Sequence, residues 1–314
     1  MPGLYRKPGK WVGAAILAAA VAAAHVPASA VVIQDSLWRD EGGGKGREWA
    51  GFGANLRLAA EPQFRAVLAL SEDGRTWGDA SGTWIGNDAG HAYVLTSAHI
   101  FELPATADAY VVRTPGGKIL AADRVWTHPK WNGDFDSRTG FDLAILRLVE
   151  PLAEAGPPPV LYGGTGEAGR LITFVGFGSR GIGSIGEEDR FYRGSDKAAA
   201  QGVVDEVAEL ASPPPRDGDS GNYLSVWLPR EDGGLANPYG GSNKPATPLV
   251  GLLGSGDSGG SAWMPQGNGW VVVGVNSNGS GNASYGDSSW FTRVSPLRDW
   301  IVRIFPGARF SSDK

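Results

Sequence analysis

Apolar positions along this chain fall in short runs separated by glycine, proline and small polar residues. Such runs occupy 64–70, 82–85, 92–96, 109–113, 141–149, 171–177, 223–228 and 270–275. Many are rich in Val, Ile, Trp and Tyr, which read as β-strands bounded by turns. The stretch 151–159, Pro-rich and ending in Pro157-Pro158-Pro159, cannot continue a strand and reads as a linker dividing the strands into two groups. Two β-barrels follow, because closing a sheet removes its exposed edges. Near the end, Leu297, Trp300, Ile301 and Ile304 recur at helical spacing after Pro296, which suits a first helical position, so 296–305 is expected to be a short C-terminal helix. Residues 31–62 are polar and Gly-rich and read as an arm with little regular structure. The polar stretch 179–222, broken by Pro213-Pro214-Pro215, reads as a long surface excursion. No solenoid-type repeat is visible.

The first thirty residues have a different pattern. Arg6, Lys7 and Lys10 precede an apolar run over 11–24, and Ala28-Ser29-Ala30 follows as a small-x-small site. This is the layout of an export signal, and the apolar run is short for a membrane span. An uncleaved anchor is the competing reading. Cleavage after Ala30 would start the chain at Val31 and take the net charge from −5 to −8. The organisation expected is therefore a signal peptide at 1–30, an arm at 31–62 and one domain over 63–314, with barrels at about 63–150 and 160–305.

Composition narrows the function classes. The 314 residues are 42% hydrophobic and 19% charged, enough apolar material for a sizeable core. The 48 glycines and 21 prolines favour many turns over long helices. With no cysteine, disulfides, thiolate metal sites and a cysteine nucleophile are all excluded. An exported chain without disulfides points to a bacterial periplasm or medium. The acidic balance, with no Lys/Arg run beyond the N-terminus, argues against a nucleic-acid partner.

Three segments carry chemistry. Thr96-Ser97-Ala98-His99 ends a strand on a histidine. Phe141-Asp142-Leu143-Ala144-Ile145-Leu146 opens an apolar strand on an aspartate. Gly256-Asp257-Ser258-Gly259-Gly260 places a serine in a Gly-rich turn. A serine hydroxyl attacks only when an imidazole takes its proton, and the imidazole needs a carboxylate to fix its tautomer. His99, Asp142 and Ser258 supply that set in the order His, Asp, Ser.

In these motifs the sequence resembles the chymotrypsin/trypsin-like serine peptidases. Residues 96–99 resemble that family's T-A-A-H, 141–146 its D-I-A-L-L, and 256–260 match its G-D-S-G-G. Lesser marks agree in order: Ser81-Gly82-Thr83-Trp84-Ile85, His128-Pro129, Gly176-Phe177-Gly178, Gly274-Val275-Asn276-Ser277-Asn278-Gly279 and Phe291-Thr292-Arg293-Val294. The resemblance spans about 62–305. It implies an all-β fold of two six-stranded antiparallel barrels with a short C-terminal helix. It further implies a cofactor-free, metal-free serine endopeptidase that works through an acyl-enzyme on peptide or protein substrates. Such a chain would be a monomer, secreted or periplasmic, without stable membrane association once its signal is cleaved.

By the same resemblance, Ser258 would be the nucleophile, His99 the base and Asp142 its orienting carboxylate. The N–H groups of Gly256 and Ser258 would form the oxyanion hole. Ser277, Asn278 and Gly279 would pair with the substrate backbone as an added strand. Leu252, six residues before the nucleophile, would lie at the base of the specificity pocket, and Ser289 stands where a pocket glycine is common. With no carboxylate at Leu252 or Leu253, an apolar or small P1 side chain is expected. Asp257 would be the activation partner of a new N-terminus, for which Val31-Val32-Ile33 is the apolar candidate; a plain disordered or strand start is the alternative.

Rival readings have definite sequence features. Gly218-Asp219-Ser220-Gly221 repeats most of the nucleophile motif, but Asn222 replaces its last glycine, whereas Ser258 has Ser277 nineteen residues downstream. Gly176-x-Gly178-x-x-Gly181 satisfies the dinucleotide-binding pattern, yet poor helix formers follow, and that pattern needs a helix. An inactive binding homologue with a covered cleft, or an esterase using the same three residues, also fits. The order His–Asp–Ser rejects the α/β-hydrolase fold.

Overall fold

The computed structural model describes residues 31–133, 140–191, 196–208 and 222–311. The signal-like segment 1–30, Pro213 to Pro215 and the second Gly-Asp-Ser-Gly around Ser220 all lie outside the described residues. Among those described, no helix is long and apolar enough to cross a membrane.

The chain enters through a short strand β1 (Val32–Ile33) and two helices, α1 (Asp35–Asp40) and α2 (Gly53–Ala59). Six strands then follow: β2 (Val67–Ser71), β3 (Ala80–Asp88), β4 (His91–Thr96), β5 (Val111–Arg113), β6 (Ile119–Thr127) and β7 (Ala144–Leu148). They close into an antiparallel barrel in the order β2-β3-β4-β7-β6-β5. Leu68, Leu70, Val94, Leu95, Ile145 and Leu146 fill it, each at most 1% exposed. This burial is the expected outcome for strands whose apolar residues outnumber their polar ones.

The second half is built on β8 (Val160–Leu161), β9 (Leu171–Gly176), β10 (Gly181–Ile182), β11 (Gly186–Glu187), β12 (Ala198–Val203), β13 (Glu206–Ala208), β14 (Tyr223–Trp227), β15 (Gly251–Leu252), β16 (Ser261–Gln266), β17 (Gly269–Gly279) and β18 (Ser288–Arg293). The main sheet runs β12-β9-β16-β17-β18-β14-β13, with β8 beside β17 and a last strand, β19 (Arg309–Phe310), beside β8. Among the described residues the seven-strand path curls over its own core without its end strands β12 and β13 pairing. The fold is thus one closed six-stranded barrel and one curled half-barrel sheet, consistent with the chymotrypsin-like fold expected from the sequence. The expected C-terminal helix is present as α3 (Arg298–Ile304). Trp300 and Ile301 bury against the first barrel, and Phe305 just beyond stacks on Tyr93 with ring centroids 4.5 Å apart. Segment 151–159 joins the two halves without regular structure, as its prolines require.

Two expectations about polar stretches are corrected. The arm at 31–62 is ordered: β1 lies between β10 and β15, pairing Val32 with Gly181 and with Leu252, and α2 packs on β12. The 179–222 stretch also contributes to the sheet. Ala198, Ala199 and Ala200 of β12 are fully buried against β9. Alanine carries little strand propensity, so only the tertiary environment makes this run a strand.

Candidate active site

Three loops from both halves converge in the cleft between them. His99 stands three residues beyond β4, Asp142 two residues before β7, and Ser258 in the turn joining β15 to β16. His99 Nδ1 lies 2.7 Å from Asp142 Oδ2, and His99 Nε2 lies 2.7 Å from Ser258 Oγ. A carboxylate only accepts, so Nδ1 carries the proton and donates to Asp142, which leaves Nε2 to accept from the Ser258 hydroxyl. The structure therefore brings together the three residues that the sequence motifs separate by up to 159 positions.

Asp142 is fully buried and is held on several sides. The His99 backbone N–H donates to Oδ1 at 2.8 Å, and Ser277 Oγ–H donates to Oδ2 at 2.6 Å. Thr292 Oγ1–H donates to its backbone carbonyl at 3.0 Å. A buried charge is tolerable only with such donors around it. Ser277 thus sits against the aspartate as well as on the cavity wall.

The nucleophile turn is tight. Gly256 has φ +87° and Gly259 φ +83°, a region costly for residues with a Cβ. A Cβ on Gly259 would also lie 2.0 Å from Thr96 Oγ1 and 2.2 Å from the Ser81 carbonyl oxygen. Ser81 N–H donates to the Ser258 carbonyl at 2.8 Å, which ties the turn to the first barrel. Ser179 N–H donates to the Ser255 carbonyl at 2.6 Å. In a trans peptide this points the Gly256 N–H the opposite way.

A cavity of about 310 Å³ opens beside Ser258 and His99, lined among others by Leu253, Gly256, Ser277, Asn278, Gly279 and Ser289. Leu252, expected at its base, does not line it. That residue is fully buried and paired with Val32, because β1 covers the strand that carries it. Leu253 takes the place on the wall, its N–H donating to Ser289 Oγ at 3.0 Å. Glu187, which sequence reasoning did not single out, also lines the cavity, and its Oε2 accepts the Ser255 N–H at 2.9 Å. It lies in a polar stretch with no motif of its own, so only the folding of β10 and β11 against this turn reveals it.

Asp257 points away from the cavity into the second half. Its Oδ1 accepts the Gly178 N–H at 2.9 Å, and its Oδ2 accepts the Gly254 N–H at 2.8 Å. The Val31 nitrogen lies 3.3 Å from Oδ2. Burial pushes the Asp257 carboxyl up to about 7, against the pull of the Gly254, Gly178 and Val31 N–H groups. Gly178 of the dinucleotide-like pattern is thereby occupied by Asp257, and the next element in the chain is strand β10, not a helix.

The fold and this cleft define a peptidase of the chymotrypsin-like type. The family profile described as trypsin-like peptidase domain matches residues 80–239. The chain belongs to the trypsin-like peptidase family and is a peptidase-type hydrolase acting on protein or peptide substrates. The match includes His99 and Asp142 and stops before Ser258. No curated protein matches the sequence.

Proposed function

We propose that this protein is an exported serine endopeptidase that hydrolyses peptide bonds through His99, Asp142 and Ser258 and an acyl-enzyme intermediate. The observation that carries the reading is the unbroken hydrogen-bond path from Asp142 through His99 to Ser258 at the edge of an open cavity. Ser258 Oγ attacks the scissile carbonyl while its proton passes to His99 Nε2. The carbonyl electron pair moves onto oxygen, where the Gly256 and Ser258 N–H groups meet it. Collapse breaks the C–N bond, and His99 returns the proton to the leaving amine. Water then attacks the ester by the same proton route and releases the acid and Ser258. Asp142 stays ionised throughout and balances the imidazolium. Ser277 to Gly279, on the cavity edge of β17, would carry the substrate strand.

Activation by a new N-terminus belongs to the same reading. Val31 is fully buried with φ +70°, a conformation strained for a β-branched residue inside a chain. A chain-terminal residue has no φ, so cleavage after Ala30 removes the strain and gives Asp257 an ammonium partner. Signal removal, export to the periplasm or medium, and activation would then be one event, leaving a cofactor-free monomer.

A fluorophosphonate probe, followed by mass mapping, tests the assignment. Labelling at Ser258, lost in Ser258→Ala together with peptide hydrolysis but with little change in Tm, is the expected result. A triad serine typically contributes about six orders of magnitude to turnover. Labelling at Ser220, or full activity in Ser258→Ala, would overturn it, and a folded protein with neither labelling nor hydrolysis would be a binding homologue.

A further inference from the structure

The nucleophile turn is gripped from behind by a side chain that the triad chemistry leaves unused. Asn276 is fully buried in β17, directly before Ser277. Its Nδ2 donates to the Asp257 carbonyl at 3.0 Å and to the Val175 carbonyl at 3.1 Å. Both neighbours are acceptors, so only the NH2 end of the amide fits against them. The Asn276 backbone holds the same turn: its carbonyl accepts the Gly259 N–H, and its N–H donates to the Gly260 carbonyl, both at 2.9 Å.

The Asp257 carbonyl belongs to the peptide whose other end is the Ser258 N–H. In a trans peptide these two groups point in opposite directions. Anchoring the carbonyl on Asn276, and on the Gly260 N–H at 3.0 Å, therefore aims the Ser258 N–H away from the Asn276 amide, in a residue that lines the cavity. The Gly256 N–H is aimed by a backbone contact from Ser179, whereas the Ser258 N–H depends in part on a side chain.

A stability role alone accounts poorly for an asparagine here. β17 is otherwise rich in valine, with Val272, Val273 and Val275 all fully buried. Among the described residues, Asn276 Oδ1 has no hydrogen-bond partner. A buried acceptor without a donor is a cost, which offsets part of what the two bonds donated by Nδ2 contribute to stability. We infer that Asn276 is a positioning residue that sets the oxyanion hole by holding the Asp257 carbonyl, so that the Ser258 N–H meets the developing negative charge. The inference rests on the serine-peptidase reading of Ser258.

The test is Asn276→Leu, close in volume and without donors, assayed with the best substrate from a fluorogenic peptide library and with a peptide boronic acid of the same sequence. Loss of one oxyanion donor typically lowers kcat by roughly 100- to 1000-fold, and a misaimed donor by less. The expected result is a kcat about 10- to 100-fold lower, KM within about twofold, boronate affinity falling with kcat, and at most a modest fall in Tm. Should the leucine variant not fold, Asn276→Thr, which restores one donor on a strand-compatible side chain, is expected to show the same split with a smaller drop. Unchanged kcat and boronate affinity in a folded variant would overturn the inference, as would a KM rise with lowered Tm and unaltered boronate affinity. Wild-type protein that neither cleaves any peptide nor labels at Ser258 would instead overturn the triad reading, and this inference with it.

Discussion

The Val31 nitrogen and the Asp257 carboxylate meet at 3.3 Å in the interior, although 226 residues separate them in sequence. Asp257 adjoins Ser258, so whatever satisfies this carboxylate also fixes the turn that carries the nucleophile. The mature form with a free Val31 amine is expected to hydrolyse peptides at least tenfold faster than forms carrying an acetyl group or one extra residue ahead of Val31. A buried carboxylate without a cation is costly, and the turn gives way first. Equal rates in a peptide-hydrolysis assay would show that the backbone donors of Gly178 and Gly254 suffice for Asp257.

The same pair predicts a pH signature of stability. In a chain blocked at Val31 the carboxyl titrates near 7 when folded, against an ordinary 3.8. The folded state then binds the proton more tightly than the unfolded one. The stability this contributes is complete below about pH 4 and is lost as pH rises through about 7. The loss is on the order of 3–4 kcal/mol, or roughly 10 °C in Tm for a chain of this size. A free Val31 ammonium offsets it, so the Tm gap between free and blocked forms should open between about pH 4 and 7. Parallel melting curves across that range would remove the ion pair from the account.

How far the site was legible depends on what kind of signal each residue leaves. His99, Asp142 and Ser258 sit in short motifs whose chemistry constrains their neighbours, and the structure places them within hydrogen-bonding distance. The apolar run Val31–Ile33 stands out in sequence because it follows a small-x-small site, and the structure buries it as β1 between β10 and β15. Leu252 was misplaced because the register count is silent on β1, which covers it. The helices of the arm escaped notice since α1 has no buried residues and thus no apolar stripe. Strand β16, Ser261–Gln266, is absent from the apolar runs because Pro265 interrupts it, and its pairing with β9 and β17 makes it a strand. Asn276 and Glu187 act through contacts formed only in three dimensions, which no spacing rule encodes.

Gly259 tests the packing of the turn independently of catalysis. Its positive φ and the close approach of Thr96 Oγ1 and the Ser81 carbonyl leave no room for a methyl group. Gly259→Ala is expected to cost about 3 kcal/mol or more, from strain and from displaced backbone. Activity should fall with it, because the shift pulls on Ser258. Urea unfolding within about 0.5 kcal/mol of wild type would mean that β3 and β4 yield more easily than their close approach to the turn implies.

Glu187 bears on specificity. The sequence reading expects an apolar or small P1 side chain, from the absence of a carboxylate at Leu252 and Leu253. The cavity wall is more polar than that expectation. Ser280, Ser288 and Ser289 line it, and Glu187 is the one acidic residue among its described lining groups. The serine hydroxyls are engaged: Ser280 Oγ–H donates to Asp287 Oδ1 at 3.4 Å, Ser288 Oγ accepts the Tyr239 hydroxyl at 3.3 Å, and Ser289 Oγ accepts from Leu253. Glu187 therefore supplies the negative potential that an incoming side chain meets. Because it is half-buried, its attraction for a cation is worth roughly 0.5–1.5 kcal/mol, or about 3- to 10-fold in kcat/KM. In a peptide series varied at P1, Glu187→Gln is expected to lower kcat/KM by that factor for lysine and arginine, and to leave alanine and leucine within about twofold. The preference for cations should also weaken with added salt in the unmodified protein. An equal drop for every P1 residue would assign Glu187 instead to holding the Ser255 N–H, a scaffold for the turn with no part in selecting charge.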